Sequence, residues 1–254
     1  MRRLVAIGLL ALALPATAVG ATGNVRLGYH LFGQYCVACH GVAGSGVPPA
    51  RVIGTGPGRV PRQQLGLGPS LRGVGALAAD FYLRTGYMPL QHVGMQPHRQ
   101  RVFFSETQLQ GLIAYIASLG PGPKVPTPHP QRGSLSEGLH LFTDHCAGCH
   151  QVVAQGGYVT GGLPPPLNEA TATQIAQAIR IGPYVMPRFS TKSLSPDQVN
   201  SIVRYVLWAK HPDDRGGWGI GHIGPIPEGL VTWFLGMTAL VASCMVIARR
   251  LRRG

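Results

Sequence analysis

The sequence predicts an all-α protein: two small helical domains in tandem, then one apolar helix long enough to cross a membrane. Three observations predict it. Gly28, His30, Leu31, Phe32, Cys36, Cys39 and His40 recur 110 residues later as Gly138, His140, Leu141, Phe142, Cys146, Cys149 and His150, and two copies of one unit are the economical account. Each copy holds apolar residues at helical spacing, with a capping signal ahead of its last segment. From Gly229 to Ala248 the chain runs 20 residues without a charge, roughly 30 Å as a helix and enough for a bilayer.

Composition agrees. The 254 residues include 36 Gly and 22 Pro, which points to loop-rich domains wrapped around something other than a large side-chain core. Of 22 basic residues, six are terminal: Arg2, Arg3, Arg249, Arg250, Arg252 and Arg253. The remaining 16 face 9 acids, so the part between is only moderately basic, at +7 of the formal +13. No helix-turn-helix, basic stripe or interleaved aromatic pattern accompanies that charge, which argues against nucleic acid as a partner.

Residues 1–21 have a basic start, an apolar stretch from Leu4 to Leu14 and small residues at Ala16, Thr17 and Ala18. This is the layout of a secretory signal peptide, cleaved after Ala18 or Ala21, or of an N-terminal anchor. Either places the residues after it outside the cytoplasm. The first domain, 24–120, opens with a short helix through Leu31 and Phe32 into Cys36-Val37-Ala38-Cys39-His40. A bare C-x-x-C is read as a redox pair or half of a zinc site. With His following at once, and the whole pattern repeated as Cys146-Ala147-Gly148-Cys149-His150, it is the haem-attachment signature: two thiols add to two vinyl groups and the His becomes an axial ligand. Two covalently bound haem c groups are therefore expected, on Cys36, Cys39 and His40 and on Cys146, Cys149 and His150. They would also supply the apolar mass that two Gly/Pro-rich domains lack.

After His40 comes a long loop, Gly41 to Gly68, then an apolar helical segment around Leu77 to Leu83. Ser105 and Gln108 form a capping box ahead of the amphipathic Leu109, Leu112, Ile113, Tyr115 and Ile116. Residues 121–133 read as a Pro-rich, semi-rigid linker, and 134–212 as the second domain. Met88-Pro89 recurs as Met186-Pro187 at an offset of 98, and Ser105, Gln108 and Tyr115 recur as Ser195, Gln198 and Tyr205 at an offset of 90. Met usually fills core gaps. A matched Met before Pro in both repeats is instead a suitable sixth ligand, since a thioether favours ferrous iron. Met95 rivals Met88 for the first haem. Pro69 and Pro165 are placed to offer a carbonyl to the other ring nitrogen of each axial His.

The remaining histidines carry no ligand-like spacing. His30 and His140 read as packed or solvent-facing, and His145 directly precedes Cys146. Nine acids leave acid/base catalysis few candidates. A Gly-rich connector, 213–228, leads into the 229–248 span and the basic tail, 249–254. Arginines there predict a cytoplasmic C-terminus, with both haem domains outside and Trp218 and Trp233 near the outer interface. Cys244, inside the apolar run, is a small hydrophobe.

Taken with the run Gly224-Pro225-Ile226-Pro227-Glu228-Gly229-Leu230-Val231 entering the span, these features resemble the dihaem cytochrome c subunit of the actinobacterial cytochrome bc complex (menaquinol:cytochrome c reductase). The resemblance implies two tandem class I cytochrome c domains, a cytochrome b subunit and a Rieske iron–sulfur subunit as neighbours, and delivery of electrons to the copper centre of a haem-copper oxidase. The isolated chain would be an electron carrier within a quinol-oxidising complex. The long loop after the first haem motif departs from the family pattern. The alternatives are a dihaem peroxidase or dehydrogenase, which needs one open iron, and a free-standing membrane-anchored electron shuttle. Matched Met-Pro pairs argue against the enzyme.

Overall fold

The structure is a computed structural model, and it describes residues 24–47, 68–91, 95–211 and 225–253. The expected signal peptide or anchor at 1–21, most of the expected loop from Gly41 to Gly68, His92, Trp218 and most of the expected connector at 213–228 lie outside the described residues. Among those described, nine α-helices and two short 3-10 turns carry the fold, with no β-strand beyond one isolated bridge between Val159 and Gly162.

In the first half these are α1 (Val25–Tyr35), α2 (Val37–His40), α3 (Gly75–Arg84) and α4 (Glu106–Ser118). In the second half α5 (Leu135–His145), α6 (Ala147–His150), α7 (Ala172–Ile181) and α8 (Pro196–Ala209) repeat them in order. Side-chain caps start most of these helices. Asn24 accepts from the Leu27 amide at 3.1 Å, and Ser134 accepts from the Glu137 amide at 3.3 Å. The box expected at Ser105 is present, with bonds of 2.9 and 3.4 Å to Gln108. Its repeat, Ser195 with Gln198, has Pro196 in the first turn, where a missing N–H costs nothing.

Each half is built on a crossing of its first and last helices, α1 on α4 and α5 on α8. The crossings are close because glycine leaves room for backbone. A Cβ on Gly28 would lie 2.0 Å from the Gly111 carbonyl oxygen, and one on Gly138 would lie 2.1 Å from that of Ser201. An aromatic pair seals each crossing: Phe32 with Tyr115 and Phe142 with Tyr205, both at a ring-centroid separation of 5.2 Å. Around them lie two cores, one holding Leu31, Phe32, Leu112 and Ile116, the other Phe142, Ile179, Ile202, Val203 and Val206.

Residues 121–133 are tied to both halves. The Leu77 amide donates to the Pro123 carbonyl at 3.0 Å, the His129 amide to Asn200 at 2.7 Å, and Arg204 to the Gly133 carbonyl at 2.6 Å. Proline removes backbone donors but leaves carbonyls available as acceptors. The segment is thus a strap bonded to both halves.

The last helix, α9 (Pro225–Leu251), is longer than the uncharged run, starting before it and ending past Arg249 and Arg250. Residues 229–251 are apolar and long enough to cross a membrane. Trp233 and Phe234 stand exposed on it, an arrangement suited to lipid rather than water.

Candidate functional site

The two C-x-x-C-H motifs adopt one conformation. In each, the first Cys caps the long helix before it, its amide bonding to Phe32 or Phe142 (2.9 and 2.8 Å), and then opens a single turn ending at the His. The His amide returns to the carbonyl of the first Cys, at 2.8 Å in the first motif and 2.9 Å in the second. One turn of helix puts both thiols and the imidazole on neighbouring positions of one surface.

Each imidazole is oriented by a proline carbonyl. His40 Nδ1 donates to Pro69 O at 2.8 Å, and His150 Nδ1 donates to Pro165 O at 3.0 Å. Proline serves because its carbonyl is free and its backbone rigid. With Nδ1–H committed, the lone pair sits on Nε2, the arrangement of a metal-binding imidazole. His150 is buried, and burial pushes its pKa down against the opposing effect of the Pro165 bond. The neutral ring is thereby favoured, and only the neutral ring can ligate.

The thiols are unpaired. Burial, reinforced by Cys149, pushes the Cys146 thiol up to about 12. Burial, reinforced by Cys39, pushes Cys36 up to about 11. Among the described residues no three His, Cys, Asp or Glu side chains converge to hold a metal ion directly.

Cys146, Cys149, His150 and Met186 line one cleft of about 1220 Å³, counting the space at its open mouth, walled largely by apolar side chains such as Phe142, Ile175, Ile179 and Val206. An apolar wall with a few convergent polar groups is the ordinary form of a cofactor site. A flat apolar macrocycle with two thiol attachment points and a neutral imidazole fits this donor set and this wall; a hydrated ion does not. The loop carrying Met186 is held down: Arg180 donates to the carbonyls of Phe189 (3.2 Å) and Ser190 (2.8 Å), and the Phe189 amide bonds to Ile179 O at 2.9 Å. In the first half, Met88, like Cys36 and Val37, packs against the first domain's core, and its amide bonds to Tyr82 O at 3.1 Å. Met95 is half-buried, in the segment whose Gln96 grips Leu163 of the second half. His30, His140 and His145 are exposed.

The repeat is visible to comparison as well. Residues 25–120 match the family model described as Cytochrome c, and residues 133–206 match that of cytochrome c oxidase, cbb3-type, subunit III. Over 244 residues the chain is 32% identical to the cytochrome bc1 complex cytochrome c subunit of Corynebacterium diphtheriae, covering 89% of this chain and 81% of that one. The chain belongs to the cytochrome bc1 complex cytochrome c subunits. The subunit of the same description from Mycobacterium tuberculosis is 34% identical over 235 residues, 89% of this chain and 78% of that one. The one from Corynebacterium efficiens is 32% identical over 267 residues, covering 96% and 84%. Cytochrome c domains are haem c-binding domains, so the family agrees with the chemistry of the cleft.

Several residues of this cytochrome subunit's cleft carry no signal in the sequence. Phe81, Thr85, Tyr87, Gln96, Pro97 and Arg99, all from the first domain, line the cleft of the second. They belong to no motif, and only the packing of the two domains reveals them.

Proposed function

We propose that this chain is the membrane-anchored dihaem electron carrier of a quinol-oxidising cytochrome bc complex, accepting electrons from the Rieske iron–sulfur subunit and passing them to the copper centre of a haem-copper oxidase. The observation that carries the reading is the duplicated constellation: two thiols on one helical turn, an imidazole locked through Nδ1 at 2.8 or 3.0 Å, and a loop-borne thioether in each domain. A haem held there supplies reversible one-electron chemistry near neutral pH.

The protein's own residues do the rest. Cys36 and Cys39, and Cys146 and Cys149, would attach one macrocycle each; His40 and His150, oriented by Pro69 and Pro165, would ligate the iron. Met88 and Met186 would be the second protein ligands, and an iron ligated by both would offer no open position to a substrate. Met88 is favoured over Met95 because it packs on the same core as Cys36. Residues 24–120 and 134–212 are the two cytochrome domains, with 1–21 as export signal or anchor. The arginines that close α9 support a cytoplasmic tail with both domains outside, by the positive-inside rule. Tethering two haems on one chain replaces a diffusing carrier.

Purification in mild detergent tests the assignment. A tag on the tail should bring down the cytochrome b and Rieske subunits together with a haem-copper oxidase, and quinol should reduce both haems. Recovery of the chain alone, still reducible by several unrelated dehydrogenases, would make it a general shuttle.

A further inference from the structure

The cleft holding Cys146, Cys149, His150 and Met186 is not the property of the second domain alone. Helix α3 packs against α7, and three side-chain contacts hold the first domain across the cleft. Gln177 donates to the buried Asp80 carboxylate at 2.7 Å. The Gln96 amide donates to Leu163 O at 2.7 Å and accepts from Leu163 N at 2.9 Å. Arg99 Nη2 donates to Gln174 Oε1 at 2.9 Å, and its Nε lies 3.7 Å from the mostly exposed Glu169. Gln174 in turn belongs to the capping box that opens α7, with Thr171. Arg99, which lines the cleft, is therefore held by a capped helix start.

Charge makes that position significant. Among the described residues lining the cleft, Arg99 is the one lysine or arginine, and no aspartate or glutamate lines it. A haem brings two carboxylates into this apolar space, and a buried carboxylate needs a hydrogen-bonded cation. A guanidinium suits that role, since its planar fork matches a carboxylate and it does not lose its proton. Glu169 competes poorly for it, being mostly exposed and at a distance too long for a hydrogen bond.

We propose that Arg99, a residue of the first domain, is the cationic partner of a carboxylate of the haem held by the second domain, and that it raises that haem's reduction potential. The inference rests on the reading of Cys146, Cys149 and His150 as a haem site. A fixed positive charge beside the macrocycle favours the ferrous state, which carries one positive charge fewer. The second haem is thus completed in cis by the domain that carries the first, and separating the domains would change its potential as well as its exposure.

The test uses the full chain in detergent, titrated spectroelectrochemically, with the two midpoints assigned through a Cys146→Ala, Cys149→Ala variant that keeps only the first haem. Arg99→Gln should lower the second midpoint, leave the first unchanged, preserve the low-spin spectrum, and bring a carboxylate-linked pH dependence of the second midpoint closer to neutrality. Arg99→Lys should recover part of the shift. Gln177→Leu, which breaks the neighbouring contact to Asp80 without changing charge and does not line the cleft, should leave the second midpoint in place. Unchanged midpoints in Arg99→Gln, or an equal shift in Gln177→Leu, would reduce Arg99 to a structural clasp. If Arg99→Gln loses the second haem, retention by Arg99→Lys still shows the need for charge, whereas loss from both variants overturns the proposal. A wild-type chain with one haem would instead sink the underlying site assignment, and is read separately by haem content.

Discussion

Gln177 of the second domain donates its side-chain amide to Asp80 of the first across 2.7 Å, and both residues are buried. The Gln177 Oε1 atom has no partner, while Asp80 also accepts from Arg84 at 2.7 Å. Removing the carboxylate leaves a buried amide with neither end paired, which costs about 1–3 kcal/mol. Asp80→Ala should therefore destabilise the chain by that amount in urea unfolding. Adding Gln177→Leu should restore part of it, with a coupling of about 0.5–3 kcal/mol. Strict additivity would show that the pair does not join the domains energetically.

The helix crossings make a second prediction. Gly138→Ala places a methyl 2.1 Å from Ser201 O and 2.9 Å from the Tyr205 Cβ, so α5 and α8 must separate, at a cost of about 1–3 kcal/mol or more. Gly33, on the first helix of the first repeat, meets nothing within 4 Å. Gly33→Ala should be stabilising by roughly 0.5–1 kcal/mol through helix propensity alone. Thermal unfolding of the two variants should move in opposite directions.

Attachment is checked by denaturation. If each motif carries one haem through two thioether bonds, as proposed, the unfolded chain should keep its haem stain, and Cys36→Ala with Cys39→Ala should halve the haem per chain. Loss of all colour from the unfolded wild type would refute covalent binding.

Ligation separates carrier from enzyme. If Met88 and Met186 both bind iron, as proposed, each ferric haem should show the weak sulfur-to-iron charge-transfer band, and the reduced protein should bind little carbon monoxide. Met88→Ala should open only the first haem and lower its potential, and Met186→Ala only the second. Stoichiometric carbon monoxide binding by the wild type would replace the carrier with an enzyme; a Met88→Ala variant with its band intact would move the ligand to Met95.

Arg84 spans Glu106 with two bonds of 2.6 and 2.7 Å, and this contact holds the Glu106 carboxyl at about 2. A depressed folded pKa means that the stabilisation is present above the unfolded value of about 4.3, and is lost as pH falls through the folded value. Glu106→Gln should flatten the acid unfolding profile between those limits and do little at neutral pH beyond the small loss of an exposed pair, under about 1 kcal/mol. A profile unchanged in that window would show that solvent screens the pair completely.

Much of this molecule is legible in its sequence because the deciding features are local or periodic. A thiol pair three residues apart followed by His brings all three groups together on one turn of helix, and both copies adopt it. A capping box binds within its own four residues, and an uncharged run of 20 residues has no comfortable place in water. Duplication adds a second reading of each feature, so that Met88 and Met186, ambiguous singly, become a matched pair. What only the tertiary structure decided is where the two copies touch. Asp80 and Gln177 are 97 residues apart, Arg99 and Gln174 are 75 apart, and no spacing rule connects positions so distant. Their meeting depends on α3 and α7 packing side by side, and on a strap whose Pro123 carbonyl accepts from the first domain and whose Gly133 carbonyl accepts from the second. The sequence therefore determined what each domain holds, while packing decided that the first domain's arginine reaches into the second domain's cleft.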